Sequence, residues 1–274
     1  MKRVLRALLL CLPALAASAD AGAQVPPEMA QKGVIVFANV PNYPPLEFKD
    51  PASGTLSGFD IALGTAIAAR LGLKPVWQET SFDQMLAALQ TGRVDAILSG
   101  MSDVATRHDA ASFVDYLRTA PQFFIQESRA GELKAATDLC GRKVGASRRT
   151  LFPRNIAEWS AANCPADRPI QFVGTEGSAD ARTQLRQGRI DAAVQGNETL
   201  PWIMEQEPGS YRSLGTPFGG SLNGIALAVK QTGLQQAVAS ALDAMIADGS
   251  YATLLAQWKL SPNAIEKATI NAGQ

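Results

Sequence analysis

GRVDAILSG at residues 92–100 and GRIDAAVQG at residues 188–196 are nearly the same nine-residue stretch, written twice 96 positions apart. Each follows a short helical pattern, Phe82 to Gln90 in the first case and Ala181 to Gln187 in the second. In both, a glycine ends the helix, and a β-branched residue followed by Asp and Ala opens a short apolar strand. A period of about one small domain is too long for a solenoid and predicts two similarly built lobes. Two α/β lobes that face each other leave a cleft, and such clefts are where small molecules bind.

Working outward, the first residues read as an export signal. Lys2, Arg3 and Arg6 form a positive region, Ala7 to Ala17 an apolar run, and Ala21-Gly22-Ala23 a cleavage box, giving a signal peptide over 1–23. A lipid anchor on Cys11 fits less well, because Leu10 precedes it and the apolar run continues past it. Removing residues 1–23 takes away three basic residues and Asp20, leaving 22 basic and 24 acidic side chains. That balance excludes an electrostatic footprint for nucleic acid or for an anionic membrane. Two cysteines remain, Cys140 and Cys164, and an even pair in an oxidising compartment reads as a disulfide. Its loop would be worth roughly 3 kcal/mol; two inert buried thiols are the alternative. A single histidine and the absence of ligand spacing leave no metal or cofactor expected.

Strand-like and helical runs alternate, which predicts α/β architecture with mostly parallel sheets. The first half reads as strand Val34–Ala38, a Pro/Gly-rich loop 41–58, helix Asp60–Leu71, strand Pro75–Glu79, helix Phe82–Gln90 with Ser81 as N-cap, and strand Val94–Leu98. The second half repeats it: Lys143–Ala146, Phe152–Ala162, Ile170–Val173, Asp180–Gln187 and Ile190–Val194. Pro121–Gln126 is an extended run that carries the chain into lobe two. The strand Ile225–Val229 and helices Leu234–Asp248 and Tyr251–Trp258 have no counterpart after the first repeat, so they return to lobe one. The expected organisation is lobe one over 24–119, lobe two over 120–217, and a return segment over 218–274, with two crossings that form a hinge. The tail after Pro262 reads as loosely held.

Several segments, in order, resemble the periplasmic solute-binding proteins of family 3, which feed polar amino acids to ABC importers. They are Tyr43-Pro44-Pro45-Leu46-Glu47-Phe48, Gly58-Phe59-Asp60-Ile61-Ala62-Leu63, Ser99-Gly100-Met101-Ser102 with Arg107, Phe113-Val114-Asp115, and Gly141-Arg142-Lys143-Val144-Gly145. The resemblance spans about residues 33–260. It implies the type II two-lobed fold, each lobe a sheet flanked by helices. It also implies a ligand set of Tyr43, Phe82, Ser99, Gly100, Ser102, Arg107, Arg149, Thr150, Gly196 and Asn197. Arg107 is the expected carboxylate anchor, since a guanidinium grips both oxygens of the group in a planar fork. Ser99 and Ser102 are expected to add hydroxyl and backbone donors. Tyr43 and Phe82 are expected to pack on the two faces of the ligand, and core packing is the alternative for each.

The sequence departs from that family where acids usually neutralise the ammonium of an amino acid. Val40 and Gly196 stand there, with Asn39, Asn197 and Glu198 nearby, and Ser147-Arg148-Arg149-Thr150 replaces a Gly-Thr-Thr-like turn. Two lost negative groups and two gained positive ones predict a shift toward acidic or modified amino acids over cationic ones. The implied function is that of an exported, monomeric, periplasmic protein that closes on a small carboxylate and presents it to a membrane permease. No catalysis is expected. Two alternatives stay open: a periplasmic enzyme on the same scaffold, resembling cyclohexadienyl or arogenate dehydratases, with Glu198, Glu176 or His108 as acid or base, and a soluble sensory partner.

Overall fold

Asp95 and Asp191, the acid shared by the two repeated stretches, play the same part in two separate sheets. Asp95 accepts the amide of Val36 at 2.7 Å and the ammonium of Lys32 at 2.6 Å. Asp191 accepts the amide of Lys143 at 2.9 Å and a guanidinium N–H of Arg129 at 2.7 Å. Each carboxylate thus bonds an amide near the start of the neighbouring strand and pairs with a cation, Asp191 also lying 3.8 Å from Arg142. The glycine before it ends a helix with left-handed backbone, φ 69° at Gly92 and 66° at Gly188. The repeat records these two demands, and the strands it opens, Ala96–Ile97 and Ala192–Gly196, sit at equivalent places.

The structure is a computed structural model that describes residues 25–274. The signal-peptide reading of 1–23 and the Cys11 alternative lie outside the described residues. One sheet runs Lys74–Glu79, Val34–Asn39, Ala96–Ile97, then Ser221–Leu227 antiparallel to its neighbour, with Ser102–Asp103 and Ser112–Thr119 paired to that last strand. The other runs Gln171–Thr175, Lys143–Ser147, Ala192–Gly196, Pro121–Gln126 and Tyr211–Leu214. Three parallel strands followed by an antiparallel one is therefore the plan of both lobes. The chain crosses between them twice, at 119–121 and 215–221, and the amide of Phe218 bonds the carbonyl of Pro121 at 2.9 Å beside the crossings.

Each lobe is held by helices laid on its sheet. Helix Phe59–Arg70 presents Phe59, Leu63 and Ile67 at four-residue spacing, all fully buried. It approaches the sheet closely at Gly64, where a Cβ would stand 2.7 Å from the Trp77 ring. Phe37 and Trp77 stack beneath it at 4.8 Å. Outside the cleft, Phe48 of lobe one meets Trp202 of lobe two at 5.5 Å, and Trp258 from the last helix closes the group at 6.0 and 6.1 Å. Lys259 pairs with Glu205 across the same seam at 2.5 Å. No helix among the described residues is long and apolar enough to cross a membrane.

Three sequence expectations need correction. Ser81 has the extended backbone of an N-cap but makes no side-chain cap bond, and the turn behind it, Phe82–Gln84, is a 3-10 helix leading into the α-helix Met85–Gln90. Ser112–Thr119, not read as a strand, is the longest strand among the described residues. The tail after Pro262 is tied down: Ile265 is buried, and Ile270 forms a bridge with Val114.

Cys140 and Cys164 are bonded, joining the approach to strand Lys143–Ser147 to the end of helix Phe152–Asn163, 24 residues apart. Replacing both with Ser should lower stability by roughly 3 kcal/mol. Urea unfolding will show this as a lower midpoint, with ligand affinity unchanged because the bond lies away from the cleft.

Candidate ligand-binding cleft

The carboxyl ends of the parallel strands of both lobes open onto a cavity of about 410 Å³. Ligands bind outside such strand ends because loops and free backbone N–H groups gather there. From lobe one, Tyr43, Phe82, Ser99, Gly100, Ser102 and Arg107 all line it, and from lobe two Arg149 and Thr150 do. Gly196 and Asn197 do not. Asn197 turns toward the hinge, where its Oδ1 accepts the amide of Ala120 at 2.9 Å. Its side chain bonds at the crossing and is not part of the cavity lining.

Arg107 stands in a 3-10 turn, Ala105–Arg107, with its guanidinium 6.0 Å over the ring of Phe82. It donates to the carbonyl of Ser102 at 2.8 Å. Among the described residues its guanidinium has no acid partner within salt-bridge distance, and burial lowers its pKa. A half-buried cation facing a cleft without an anion is a site for one. Phe82 supports this group as much as it faces the cleft. Ser99 departs from expectation: its hydroxyl donates to Glu47 at 2.8 Å and accepts from the amide of Val40 at 3.1 Å, so its proton is already committed.

The two lobe-two arginines are answered by acids. Arg149 reaches across the cleft to Asp83 of lobe one at 2.9 Å. Arg148 lies outside the lining, paired with Glu176 at 2.9 Å and donating to the carbonyl of Gly174 at 3.0 Å. Thr150 uses its hydroxyl locally, on the carbonyl of Ser147 at 2.8 Å. The lining holds five carboxylates (Glu47, Asp83, Glu158, Glu176, Glu198) against three guanidiniums (Arg107, Arg149, Arg154). The cationic surplus expected from the sequence is not present.

Glu198 is the acid that matters most to this geometry. Its carboxylate accepts the hydroxyl of Tyr43 at 3.0 Å and that of Thr119 at 2.6 Å, and it is 2% exposed. A Cβ on Gly196 would lie 1.9 Å from its Oε1. The carboxylate therefore occupies the space that a side chain at 196 would need. Burial raises its pKa against the pull of the two hydroxyls. The Tyr43 hydroxyl also accepts the amide of Gly196 at 3.2 Å, which ties the lobes together at the cleft floor. Burial and then the Glu198 charge push the Tyr43 phenol well above its ordinary pKa.

A second acid group lies under the floor. Asp60 accepts the Gly100 amide at 3.0 Å and the Tyr116 hydroxyl at 2.9 Å, all through one oxygen. Its other oxygen and Oε2 of Glu47 are buried with no donor. A proton held between them satisfies both. Burial pushes Asp60 up to about 6, and burial together with the Asp60 charge raises Glu47 well above its usual range. Of the other candidate acids and bases, Glu176 is exposed, and His108 faces Asp103 at 2.5 Å outside the cleft lining.

Two lobes that share paired crossings and enclose a polar cavity define the two-lobed binding-protein class. The sequence matches the bacterial extracellular solute-binding proteins, family 3, over residues 35–261, and the chain belongs to that family. It is 30% identical to the arginine-binding protein ArgT of Corynebacterium glutamicum, covering 91% of this chain and 82% of that protein. Its fold is similar to that of an ancestral arginine-binding protein bound to arginine, with a TM-score of 0.72 and 28% identity over 82% of this chain and 98% of the other. It is equally similar, at a TM-score of 0.72 and 25% identity over 84% and 97%, to an ancestral amino acid-binding protein that is a precursor of cyclohexadienyl dehydratase. Other relatives are named for histidine, cystine and glutamine.

The raised acids set a pH dependence. Asp60 at about 6 and Asp115 at about 7 hold protons in the folded state that the unfolded chain releases near pH 4. Their stabilisation is complete below pH 4 and lost as pH rises through 6 to 7. Melting temperature should therefore fall between pH 5 and pH 8. Glu47→Gln, whose amide can donate to Asp60 while its carbonyl oxygen keeps Ser99, should flatten that slope.

Proposed function

We propose that this protein is the exported solute-binding component of an ABC importer and that it captures an amino acid. The observation that carries this reading is a pair of opposite groups facing one cavity. Arg107, without an acid partner, takes the α-carboxylate, and Glu198 takes the ammonium in place of an acid at 196. Glu198 retains lone pairs beyond those used by Tyr43 and Thr119, so an ammonium adds to that network without dismantling it. The family places the protein outside the cytoplasm, and a membrane permease is the partner this role requires.

Besides Arg107, the guanidiniums among the described lining residues are paired with acids, Arg154 with Glu158 among them. Arg149 is matched by Asp83 and Arg148 by Glu176, so an acidic side chain gains little and a cationic one is not repelled. The reading is therefore a zwitterionic amino acid, with basic and neutral members admitted alongside acidic ones. Closure follows because Arg107 belongs to lobe one and Glu198 to lobe two, so both ends of the ligand are held only when the lobes meet.

A second reading rests on the same residue. A buried carboxyl of raised pKa beside a phenol has the form of a general acid, and one structural relative is a dehydratase precursor. Release of water from a cyclohexadienyl acid by the purified protein would favour it over simple binding.

Calorimetric titration with arginine, glutamine, histidine, cystine and glutamate decides the class. Arg107→Ala should cost about 2–5 kcal/mol of binding with an unchanged melting temperature. Glu198→Gln should weaken amino acids roughly tenfold or more while sparing a keto acid that lacks the ammonium. Equal affinity of the Glu198→Gln variant for amino acids would overturn its assigned role.

A further inference from the structure

The match to the family model ends at residue 261, yet the chain continues along lobe one and reaches the cleft, where Gln274 is among the residues that line the wall. On the way it makes a series of specific bonds. The amide of Ala268 donates to Asp243 at 2.7 Å. The carbonyl of Thr269 accepts the amide of Asp115 at 2.9 Å, and the Thr269 hydroxyl donates to the Asp115 carboxylate at 2.6 Å. Asn271 pairs twice with Phe113: its amide donates to the Phe113 carbonyl at 2.9 Å, and its Oδ1 accepts the Phe113 amide at 2.7 Å. The amide of Gly273 donates to Asp103 at 2.7 Å.

These contacts fall on both sides of one short segment. Asp103 precedes the turn that carries Arg107, while Phe113 and Asp115 follow it. Asp103 also holds His108, next to Arg107, through its other oxygen at 2.5 Å. The fit at the far end is tight, since a Cβ on Gly273 would lie 2.1 Å from the Asp103 carbonyl oxygen. A tail that only covered the edge of strand Ser112–Thr119 would need the bridge at Ile270 and little more. It would not need a buried carboxylate placed to receive Gly273 nor a residue in the cleft.

We propose that residues 265–274 are a strap belonging to the ligand-binding apparatus of this protein. The strap fixes the turn that presents Arg107, with Asp103, Asn271 and Gly273 as positioning residues, and it brings Gln274 to the cleft wall next to the carboxylate subsite. This rests on the reading of Arg107 as the anchor. The ligand class it suits is one whose polar group beside the carboxylate can bond an amide side chain. Selectivity among amino acids and their derivatives is then partly written beyond residue 261, where the match to the family model ends.

The test uses the full chain and four variants: Asn271→Ala, Gly273→Ala, Gln274→Ala, and Asp243→Asn as a control that loosens the strap far from Arg107. Hydrogen exchange without ligand follows the amides of Arg107, His108, Ala110 and Ala111, which close this turn. Asn271→Ala and Gly273→Ala should speed their exchange at least tenfold, leave lobe two unchanged, and weaken L-arginine or L-glutamine about tenfold. Gln274→Ala should leave exchange and melting temperature unchanged and alter the ratio of those two affinities severalfold. Asp243→Asn should lower the melting temperature alone. Unchanged exchange at the turn in both positioning variants would overturn the strap's role, as would faster exchange with unchanged affinity. An unaltered affinity ratio in Gln274→Ala would remove that residue from the site. If the wild-type protein binds no amino acid, the proposed function fails, while the exchange result still decides whether the strap holds the turn.

Discussion

The hydroxyl of Tyr43 is the point through which the two lobes meet at the cleft floor. It donates to Glu198 and accepts from Gly196, so one lobe-one atom engages a lobe-two side chain and a lobe-two backbone amide. Removed from water, such a charge-assisted pair is stronger than its exposed equivalent, and leaving either partner alone would be costly. The glycine at 196 follows from it. Glu198 folds back over that position, and only the absence of a Cβ leaves room for the carboxylate. What reads in sequence as a deleted charge at 196 is a position whose side-chain space the Glu198 carboxylate already fills.

Two pairs of buried acids in lobe one have no lysine or arginine partner among the described residues. Glu47 with Asp60 lies under the floor, and Asp103 with Asp115 lies beneath the strap. Two carboxylates buried together do not both ionise, because their repulsion adds to the cost of leaving water. Donors arranged around one oxygen of Asp60 favour its charge, and the neighbouring acid then keeps the proton. The floor therefore presents less negative charge than its residue count suggests. This keeps Glu198 the principal anion available to a ligand.

The sequence made the doubled architecture legible because its demands recur: a glycine to end a helix, an acid to cap a strand, small apolar residues to pass between layers. The cavity wall of lobe one was equally legible, since Tyr43, Phe82, Gly100, Ser102 and Arg107 all line it. Strand Ser112–Thr119 escaped because its Asp115 and Ser112 are buried, which breaks the apolar pattern that signals an interior strand. The strap escaped because small and polar residues such as Thr269, Asn271 and Gly273 look like a loose end until their partners, more than a hundred residues away, are known. Arg148 and Arg149 show the same gap at short range. Position along the chain placed both near the cleft, but only packing decides that one crosses it and the other turns away.

The aromatic group of Phe48, Trp202 and Trp258 lies away from the cavity and has its own thermodynamic consequence. These rings join elements of both lobes without lining the cavity, so the part of the free energy of closure that they supply does not depend on the guest. Apparent affinity scales with the fraction of molecules already competent to bind, and a seam that raises this fraction tightens every ligand by the same factor. The cleft then governs which solute is chosen, and the seam governs how firmly any chosen solute is retained. Opening the cleft must part these rings as well as any contacts made by a ligand, so the same three side chains weigh on the release of every solute.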